Sequence, residues 1–370
     1  MQLTILQTLP ALDVGGVERG TLEVASALVK RGHRSIVVSA GGELVKQLLD
    51  QGSEHITLSI GKKSLFTLRY IKQLREILVS EKVSILHPRS RLPAWISFLA
   101  WNSMDADIRP HFITTVHGPY TVNSYSKIMM RGERVIAISE YIRDYILKNY
   151  PDIDNNKIEV IHRGVSPDEF PRGYQPSSEW LSTWNLQHPQ LSGKYVVTLP
   201  ARVTRWKGQE DFLEIIRTAV ARGLPVHGLV AGGPHRGKES FFHSLKEYAK
   251  QSGLDNHVTF LGHRSDLKNI MAISDVVFSL AKDPEAFGRT ALEALSLGKP
   301  VIAYNHGGAA EVLREIFPEG LITPDDVNMA YAKLEEFSKS KPFVSQNNPF
   351  TLDLMLTKTI NLYEQVAGNQ

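Results

Sequence analysis

Two glutamates eight positions apart, Glu285 and Glu293, flank the sequence FGRT at positions 287–290. The residues around them predict a short apolar strand and then a helix that begins near this sequence. A helix N-terminus carries a partial positive charge and unpaired backbone N–H groups, so it favours anions such as phosphate. Gly288 would let the backbone approach a phosphate closely, and the hydroxyl of Thr290 would add a hydrogen bond. The segment therefore has the residue types of a phosphate site.

The two carboxylates suit the other parts of a nucleotide sugar. Glu293 comes three residues after Thr290, on the same helical face, where a carboxylate can accept two hydrogen bonds from the vicinal diol of a ribose. Glu285 precedes the helix and would face a sugar. The spacing alone also allows a structural interpretation, in which Glu285 is a solvated loop residue and Glu293 favours the N-terminus of its own helix.

A second pair of charged residues follows the first strand of the C-terminal half. In the sequence LPARVTRWKGQEDF, Arg202 ends the predicted strand and Lys207 lies five residues later, just before a helix. Two fixed cations at this place can hold a diphosphate and stabilise its charge as it leaves. Ordinary surface charge is the alternative, and it is weakened by the position of both residues at the carboxyl end of a strand.

These side chains need elements that place them together, and the chain supplies apolar strands alternating with amphipathic helices. Such alternation is typical of an α/β fold with doubly wound parallel sheets. It runs through residues 1–170, stops in a stretch rich in proline, serine and glutamine at 171–193, and restarts over 194–347, before a helical pattern at 348–370. We predict two Rossmann-like domains joined by the 171–193 connection, with a ligand cleft at the carboxyl ends of their strands.

Composition limits the classes of function. A chain of 370 residues with 42% hydrophobic and 22% charged residues is typical of a soluble protein of two domains. The absence of cysteine excludes disulfides, thiol catalysis and zinc–thiolate sites. The N-terminus lacks the basic region of a signal peptide, and the longest apolar run, LPAWISFLAW, is shorter than the roughly 20 residues that span a bilayer. We therefore expect a cytoplasmic protein.

Several motifs, taken in order, resemble the retaining GT-B glycosyltransferases of family 4. They are the Gly-Gly loop of DVGGVERG (13–20), TTVHG (114–118), VIHRGVSPDEF (160–170), the R-x4-K pair at 202 and 207, GHRSDL (262–267), the E-x7-E segment with FG, and AYNHGGAAEVL (303–313). No single motif is specific, but their shared order over nearly the whole chain is. The resemblance implies a GT-B fold, with an acceptor-side N-terminal domain, a donor-binding C-terminal domain and a C-terminal helix that packs back on the first.

The resemblance also implies a role for each matching residue. Catalytic roles would fall to Arg202 and Lys207 at the departing diphosphate and to Glu285 and His117 at the donor sugar. The donor would be bound by Gly15, Gly16, Arg264, Phe287, Gly288, Arg289, Thr290 and Glu293. Members of this family retain the anomeric configuration, with a nucleotide-diphosphate sugar as substrate and no metal or cofactor. In one route the acceptor attacks on the face from which the phosphate leaves, and that phosphate takes the acceptor proton.

Two departures from the family pattern bear on the substrate. Arg163-Gly164-Val165-Ser166 replaces the common Asn-Gly-Val-Asp, so that Arg163 either adds a cation near the cleft or points to solvent, and we favour solvent. The segment HPRSRLPAW at 87–95 resembles lipopolysaccharide-core sugar transferases, which implies a donor such as GDP-mannose, with UDP-sugars as the alternative. A nucleotide-sugar epimerase or a non-catalytic nucleotide-sugar-binding protein of the same fold are the rival functions.

Two further patterns resemble motifs of other classes of protein. Asp105-Ala106-Asp107 has the D-x-D form of metal-dependent glycosyltransferases but lacks companion ligands, which favours a surface loop. The sequence GGPHRGK at 232–238 is close to a P-loop, but Glu239 replaces the hydroxyl residue that would bind magnesium. The family resemblance instead implies that it is the Gly-rich turn near the diphosphate, and not an NTPase site. We expect no metal site and no binding of nucleic acid.

A basic segment at residues 62–91 has a net charge of +6. The favoured interpretation is an amphipathic core helix with a solvated face. The alternative is a surface that meets an anionic membrane, which would place the protein at the inner face of the cytoplasmic membrane.

Overall fold

The protein is described by a computed structural model that covers residues 2–13, 15–234, 237 and 239–368. The chain divides into two compact units. Unit 1 comprises Met1–His162 and Asp353–Gln370, and unit 2 comprises Arg163–Leu352.

Unit 1 is built on a parallel sheet of seven strands with the order 3-2-1-4-5-6-7. Its strands are β1 (Thr4–Thr8), β2 (Arg34–Ser39), β3 (Glu54–Thr57), β4 (Ile85–Pro88), β5 (His111–Val116), β6 (Arg134–Ala137) and β7 (Ile158–Val160). The helices between them are α1 (Gly16–Lys30), α2 (Val45–Asp50), α3 (Tyr70–Ser80), α4 (Arg91–Asn102) and α5 (Glu140–Asn149). The strand order reverses between β1 and β4, which makes their carboxyl ends the topological switch point of this sheet.

Unit 2 is built on a parallel sheet of six strands with the order 10-9-8-11-12-13. The strands are β8 (Tyr195–Leu199), β9 (Val226–Ala231), β10 (Val258–Gly262), β11 (Val276–Ser279), β12 (Val301–Tyr304) and β13 (Leu321–Ile322). The helices are α6 (Ser178–Gln187), α7 (Gln209–Ala221), α8 (Glu239–Gln251), α9 (Leu267–Ile273), α10 (Arg289–Ser296), α11 (Gly307–Ile316) and α12 (Val327–Lys339). The last helix of the described chain is α13 (Leu352–Gly368). The switch point of this sheet lies between β8 and β11.

The central strands of both sheets are buried on both of their faces. Every residue of β9 and of β12 is buried, and so are all but the first residue of β1 and of β8. Continuous burial of this kind is typical of parallel sheets covered on both faces, whereas strands with one solvated face alternate between buried and exposed residues. The predicted fold of two doubly wound Rossmann-like domains is confirmed.

The segment 171–193, which we predicted to be an interdomain connection, lies inside unit 2. It contains α6, whose N-terminus is capped by the Ser177 hydroxyl through the backbone N–H of Trp180. Trp184 is 3% exposed and packs on unit 2 with Leu229 and Ile270. The polar residues that resembled a linker therefore form the solvated face of a short packed helix.

Helix α13 returns to unit 1 at the end of the chain. The hydroxyl of Tyr363 lies 2.5 Å from Nδ1 of His87, and both side chains are fully buried. His33 lies 3.3 Å from Glu364. None of the described helices is both long and apolar enough to cross a membrane.

Candidate active site

The carboxyl ends of three neighbouring strands of unit 2 line a cavity of about 410 Å³. It lies beyond β8, β9 and β10 and reaches the start of α10, beside the switch point of the sheet. Its lining consists of Pro200, Ala201, Arg202, Lys207, Ala231, Gly232, Gly233, Pro234, His263, Arg264, Leu267 and Thr290. Four residues that the sequence singled out are thus brought to one place, where open α/β sheets bind their ligands.

Lys207 and Glu285, 78 positions apart in the sequence, form an ion pair. Each side chain is 17% exposed. Lys207 ends a short 3-10 turn that is followed by Gly208, and Gly208 has a φ of +75°. A Cβ at Gly208 would clash with the carbonyl oxygen of Leu280, so only glycine lets this turn sit against the end of β11. That close approach brings the lysine to the loop that carries Glu285.

The loop that carries Glu285 is held by backbone contacts on two sides. Gly308 at the start of α11 donates its N–H to the carbonyl oxygen of Glu285 at 2.8 Å. The N–H of Lys282 donates to the carbonyl oxygen of Trp206 at 2.7 Å, which joins this loop to the turn of Lys207. The loop ends at Gly288, whose φ of +79° and close approach to Ala309 both require glycine.

The other side chains around the start of α10 differ in where they lie. Thr290 lines the cavity. Phe287 is 4% exposed and its ring packs edge-on against Phe350, with centroids 5.9 Å apart, so it lies in the core beneath the loop. Glu293 is 9% exposed and accepts a hydrogen bond of 3.1 Å from Nε of Arg289, one turn earlier in the same helix. Glu293 lies near the start of α10, as the ribose-binding interpretation requires, and it is paired within its own helix, as the structural interpretation requires.

A charged cluster behind the Glu285 loop was not foreseen from the sequence. Lys282 lies 2.9 Å from Asp211 and 3.6 Å from Asp325, and the hydroxyl of Tyr304 donates to Asp211 at 2.5 Å. Burial alone would lower the pKa of Lys282, but the hydrogen bond and charge of Asp211 outweigh it and the pKa is raised. Burial, helped by Asp211, also raises the pKa of Tyr304. Because these residues come from four distant segments, no local sequence pattern could reveal them.

The loop after β10 is fixed by side chains of its own and of α6. Arg264 donates from Nε and Nη2 to the two carboxylate oxygens of Asp266, at 2.8 and 2.6 Å. Trp180 of α6 donates its Nε1–H to Asp266 at 2.8 Å. The helical spacing of Trp180 and Trp184 was the available signal for this support, since residues four apart share a helical face.

The candidate residues of unit 1 lie at the start of α1, after the loop that follows β1, and directly after β5. Gly15 is the residue before α1, and Gly16 begins that helix with open space where a side chain would be. His117 directly follows β5 and is partly buried, and its backbone N–H donates to the hydroxyl of Tyr120 at 3.3 Å. Both places belong to connections that leave the carboxyl ends of strands, where parallel sheets position ligand-binding groups.

Outcomes for the other predicted patterns vary. Asp105 and Asp107 are exposed beside a short 3-10 turn, so the surface-loop interpretation is confirmed. The solvent interpretation of Arg163 is wrong, because this side chain is 9% exposed. His235, Arg236 and Lys238 of the near-P-loop sequence lie outside the described residues. Within the described ranges, no three histidine or carboxylate side chains are grouped as metal ligands would be.

Two family descriptions match most of the chain between them. Glycosyltransferase Family 4 matches residues 14–169, and Glycosyl transferases group 1 matches residues 183–348. Among solved structures, a glycosyltransferase from Rickettsia africae is 33% identical, with a TM-score of 0.87 and coverage of 100% of both chains. Anabaena HepE in complex with UDP and glucose is 20% identical, with a TM-score of 0.79 and coverage of 98% of this chain and 100% of its own. Spore coat protein SA of Bacillus subtilis is 24% identical over 330 residues, which are 85% of this chain and 84% of that protein.

The fold and the cavity at its switch point define a glycosyltransferase of the GT-B class. More narrowly, the chain belongs to the glycosyltransferases in which a family 4 domain precedes a group 1 domain. The predicted GT-B glycosyltransferase with family 4 and group 1 domains is confirmed, and retention and the substrate stay predictions.

Proposed function

We propose that the protein transfers a hexose from a nucleotide-diphosphate sugar to a glycan or glycolipid acceptor. The observation that carries this proposal is the ion pair of Lys207 with Glu285 beside a cavity lined by Lys207, Arg202 and Thr290. Two cations and a hydroxyl at a helix N-terminus suit a diphosphate, and an adjacent carboxylate suits the hydroxyls of a sugar. Anabaena HepE, whose structure contains UDP and glucose, shares the fold.

In the proposed reaction, the bond between the anomeric carbon and the diphosphate oxygen breaks, and the acceptor oxygen forms a bond to that carbon. Negative charge then develops on the diphosphate, where Arg202 and Lys207 stabilise it. The acceptor proton passes to the departing phosphate oxygen on the same face, so the anomeric configuration is retained. Neutralisation of the leaving group by these two cations would make a metal unnecessary.

The positions of the residues support the following proposed roles. Glu285 holds Lys207 at the cavity and, once a donor is bound, turns toward the sugar hydroxyls. Glu293 and Arg289 support the ribose end of α10. In unit 1, Gly16 at the start of α1 and His117 after β5 have positions suited to the sugar and the acceptor side.

The proposed donor is GDP-mannose or a UDP-sugar, and the proposed acceptor is the lipopolysaccharide core. The segment HPRSRLPAW supports the acceptor, since it resembles transferases of that class. A nucleotide-sugar epimerase would alter the donor without an acceptor, and a binding protein would leave it unchanged. Product analysis therefore separates the three functions.

The proposed location of the protein is the inner face of the cytoplasmic membrane. Leu65 and Phe66, in a 3-10 turn before α3, are 86% and 79% exposed and stand beside the exposed Lys62 and Lys63. Helix α3 itself buries Leu74 and Leu78, as an amphipathic core helix does. The apolar pair with basic neighbours suits an anionic bilayer, which accepts apolar side chains and attracts cations.

Vesicle sedimentation tests this location. We expect binding to vesicles that contain anionic phosphatidylglycerol, weakened by salt and lost in Leu65→Ser/Phe66→Ser. The matched control is Leu186→Ser in unit 2, where the leucine is 81% exposed. Equal binding by the double variant, or equal binding to neutral vesicles, would rule the location out.

Thermal unfolding with UDP, GDP, ADP and CMP tests the donor site first. A nucleotide at 100 times its dissociation constant should raise the free energy of unfolding by about 2.7 kcal/mol. Arg202→Met should remove much of this effect, whereas Arg205→Met, which changes an exposed neighbour over the ring of Phe241, should not. If no nucleoside diphosphate stabilises the protein, the proposal is contradicted.

NMR of the first product formed from an α-linked donor then tests retention of the anomeric configuration, since a β product would exclude retention.

A further inference from the structure

Arg91 begins α4, after the carboxyl end of β4, and its guanidinium lies over two tyrosine rings of unit 1. Its Cζ atom is 4.8 Å from the ring centroid of Tyr120 and 5.5 Å from that of Tyr125. Nη1 donates to the hydroxyl of Ser126 at 3.2 Å, and Ser126 is fully buried. Contact with two rings and a hydrogen bond at one end restrict the plane of the guanidinium.

The two tyrosines are themselves held by their neighbours. Trp95, one turn after the arginine in α4, donates its indole N–H to the carbonyl oxygen of Tyr125 at 2.9 Å. The hydroxyl of Tyr145 in α5 donates to the carbonyl oxygen of Tyr120. The hydroxyl of Tyr120 accepts a hydrogen bond of 3.3 Å from the backbone N–H of His117, the residue that the family resemblance assigns to the donor sugar. The loop after β5 therefore connects the arginine to that residue.

The Arg91 guanidinium keeps unused hydrogen-bonding capacity. Nη1 is its only nitrogen with a hydrogen-bond partner among the described residues, and no described carboxylate forms an ion pair with it. The side chain is partly exposed, whereas Arg89, two residues earlier, is 2% exposed. Tyr125 is 37% exposed, so an aromatic surface beside the guanidinium is open to solvent. An accessible cation without a counter-ion, next to an open ring, has the groups that recognise a negatively charged sugar.

We propose that Arg91, with Tyr120 and Tyr125, binds a phosphate or carboxylate group of the acceptor sugar, so that the acceptor is an anionic saccharide. The inference rests on the proposed transfer function and names the class of its acceptor. The guanidinium offers paired N–H groups to two oxygens of such an anion, and the open ring of Tyr125 packs against the C–H face of the sugar. The contact of Tyr120 with His117 connects this site to the expected position of the donor sugar.

Ligand-observed NMR titrations with glucose, glucose 6-phosphate, glucuronate and inorganic phosphate test the site. We expect at least one of the two anionic sugars to bind about tenfold or more tightly than glucose, because hydrogen bonds to a charged group are the stronger ones. The better anionic sugar identifies the anion as phosphate or carboxylate. Inorganic phosphate should bind more weakly than that sugar, because it lacks the ring that the tyrosines contact.

Variants then assign the binding to this arginine. Arg91→Met should weaken the better anionic sugar by about tenfold, because the charge and the N–H groups are lost. Arg91→Lys should restore only part of the affinity, since a lysine keeps the charge without the planar fork. Arg131→Met is the matched control, because Arg131 is exposed and also lies over an aromatic ring, that of Phe98, at 5.8 Å. The control should leave the affinity unchanged.

Three results would overturn the inference. They are equal affinity for glucose and both anionic sugars, an affinity that Arg91→Met leaves unchanged, and inorganic phosphate binding as tightly as the better anionic sugar, which would mean an adventitious ion only.

A crossed comparison separates this inference from the proposed function. Arg91→Met should leave the affinity for UDP or GDP unchanged, whereas Arg202→Met should weaken the nucleotide and leave the anionic sugar unchanged. A folding defect in either variant would weaken both ligands together. If the anionic sugar binds through Arg91 but no nucleoside diphosphate binds, the proposed transfer is overturned and the anionic-sugar site stands.

Discussion

The two sheets have the same strand order around their switch points, but the cations there differ. Those of unit 2 line a cavity, whereas that of unit 1 is buried. In unit 2, Arg202 and Lys207 follow β8 and line a cavity of about 410 Å³. In unit 1, Arg89 follows β4 and is 2% exposed, with Nη1 donating to Gln7 at 3.1 Å. Burial lowers the pKa of Arg89. A cation at a strand end is thus a candidate ligand-binding group only where the surrounding loops leave it open to a cavity.

Polar residues near these strand ends differ in the same way. Near the end of β4 in unit 1, the strand residue His87 is fully buried between the hydroxyls of Tyr363 and Thr115, at 2.5 and 2.7 Å. In unit 2, Lys207 and Glu285 remain partly accessible. The first arrangement satisfies buried polar atoms and favours stability, whereas the second leaves charged groups able to contact a substrate.

The largest expected effect is on catalysis, at the switch point of unit 2. Lys207→Met should lower kcat by roughly 10²–10³-fold, because one fixed cation at the developing phosphate charge is lost. Steady-state kinetics measures the effect, with Arg205→Met as the control cation two residues earlier. An unchanged kcat would show that the Lys207–Glu285 pair is structural and would remove the contrast between the two units.

A backbone substitution tests whether the turn of Lys207 depends on close approach. Gly208→Ala should destabilise the fold by roughly 2–4 kcal/mol, because its Cβ meets Leu280 and its φ is positive. Gly193→Ala is the matched control, since Gly193 has a φ of +70° but open space around its Cβ position. Denaturant unfolding should give about 1 kcal/mol for the control, and equal costs would contradict the close-approach argument.

The buried cluster of unit 1 should affect stability without affecting donor binding. Tyr363→Phe removes the hydroxyl from Nδ1 of His87 and should cost about 1–3 kcal/mol, because a buried polar atom loses its partner. UDP or GDP affinity, measured under conditions where the variant is folded, should stay the same. A selective loss of nucleotide affinity would mean that the buried residues at the switch point of unit 1 also contribute to substrate binding.

The smallest effect concerns a histidine inside unit 2. His227 is 1% exposed, and burial, with the nearby His257 and Lys194, lowers its pKa to about 4. The unfolded chain binds the proton more readily, so the stability that neutral His227 provides is complete above about pH 6.5 and is lost as the pH falls toward 4. The free energy of unfolding should fall by about 1 kcal/mol between pH 7 and 5.5 from this group. His227→Gln should flatten that slope in urea titrations, and an unchanged slope would contradict the assignment.

The sequence by itself determined the fold class, the glycosyltransferase family and four of the residues that line the cavity. Strand and helix periods are local, and glycines and charges at strand ends occur in short motifs that a single chain displays. For this reason the order of residues along the chain was enough to single out Arg202, Lys207, Arg264 and Thr290.

Tertiary structure decided which of these residues meet and which are buried. It paired Lys207 with Glu285 and Asp211 with Lys282, buried Phe287 and Arg163, and turned the 171–193 segment into a helix that supports Arg264. Partners of this kind are up to 86 positions apart, so their contact depends on how helices and strands pack and leaves no local pattern in the sequence. Accessibility is likewise a property of packing, and it is what separates the open cations of unit 2 from the buried Arg89 of unit 1.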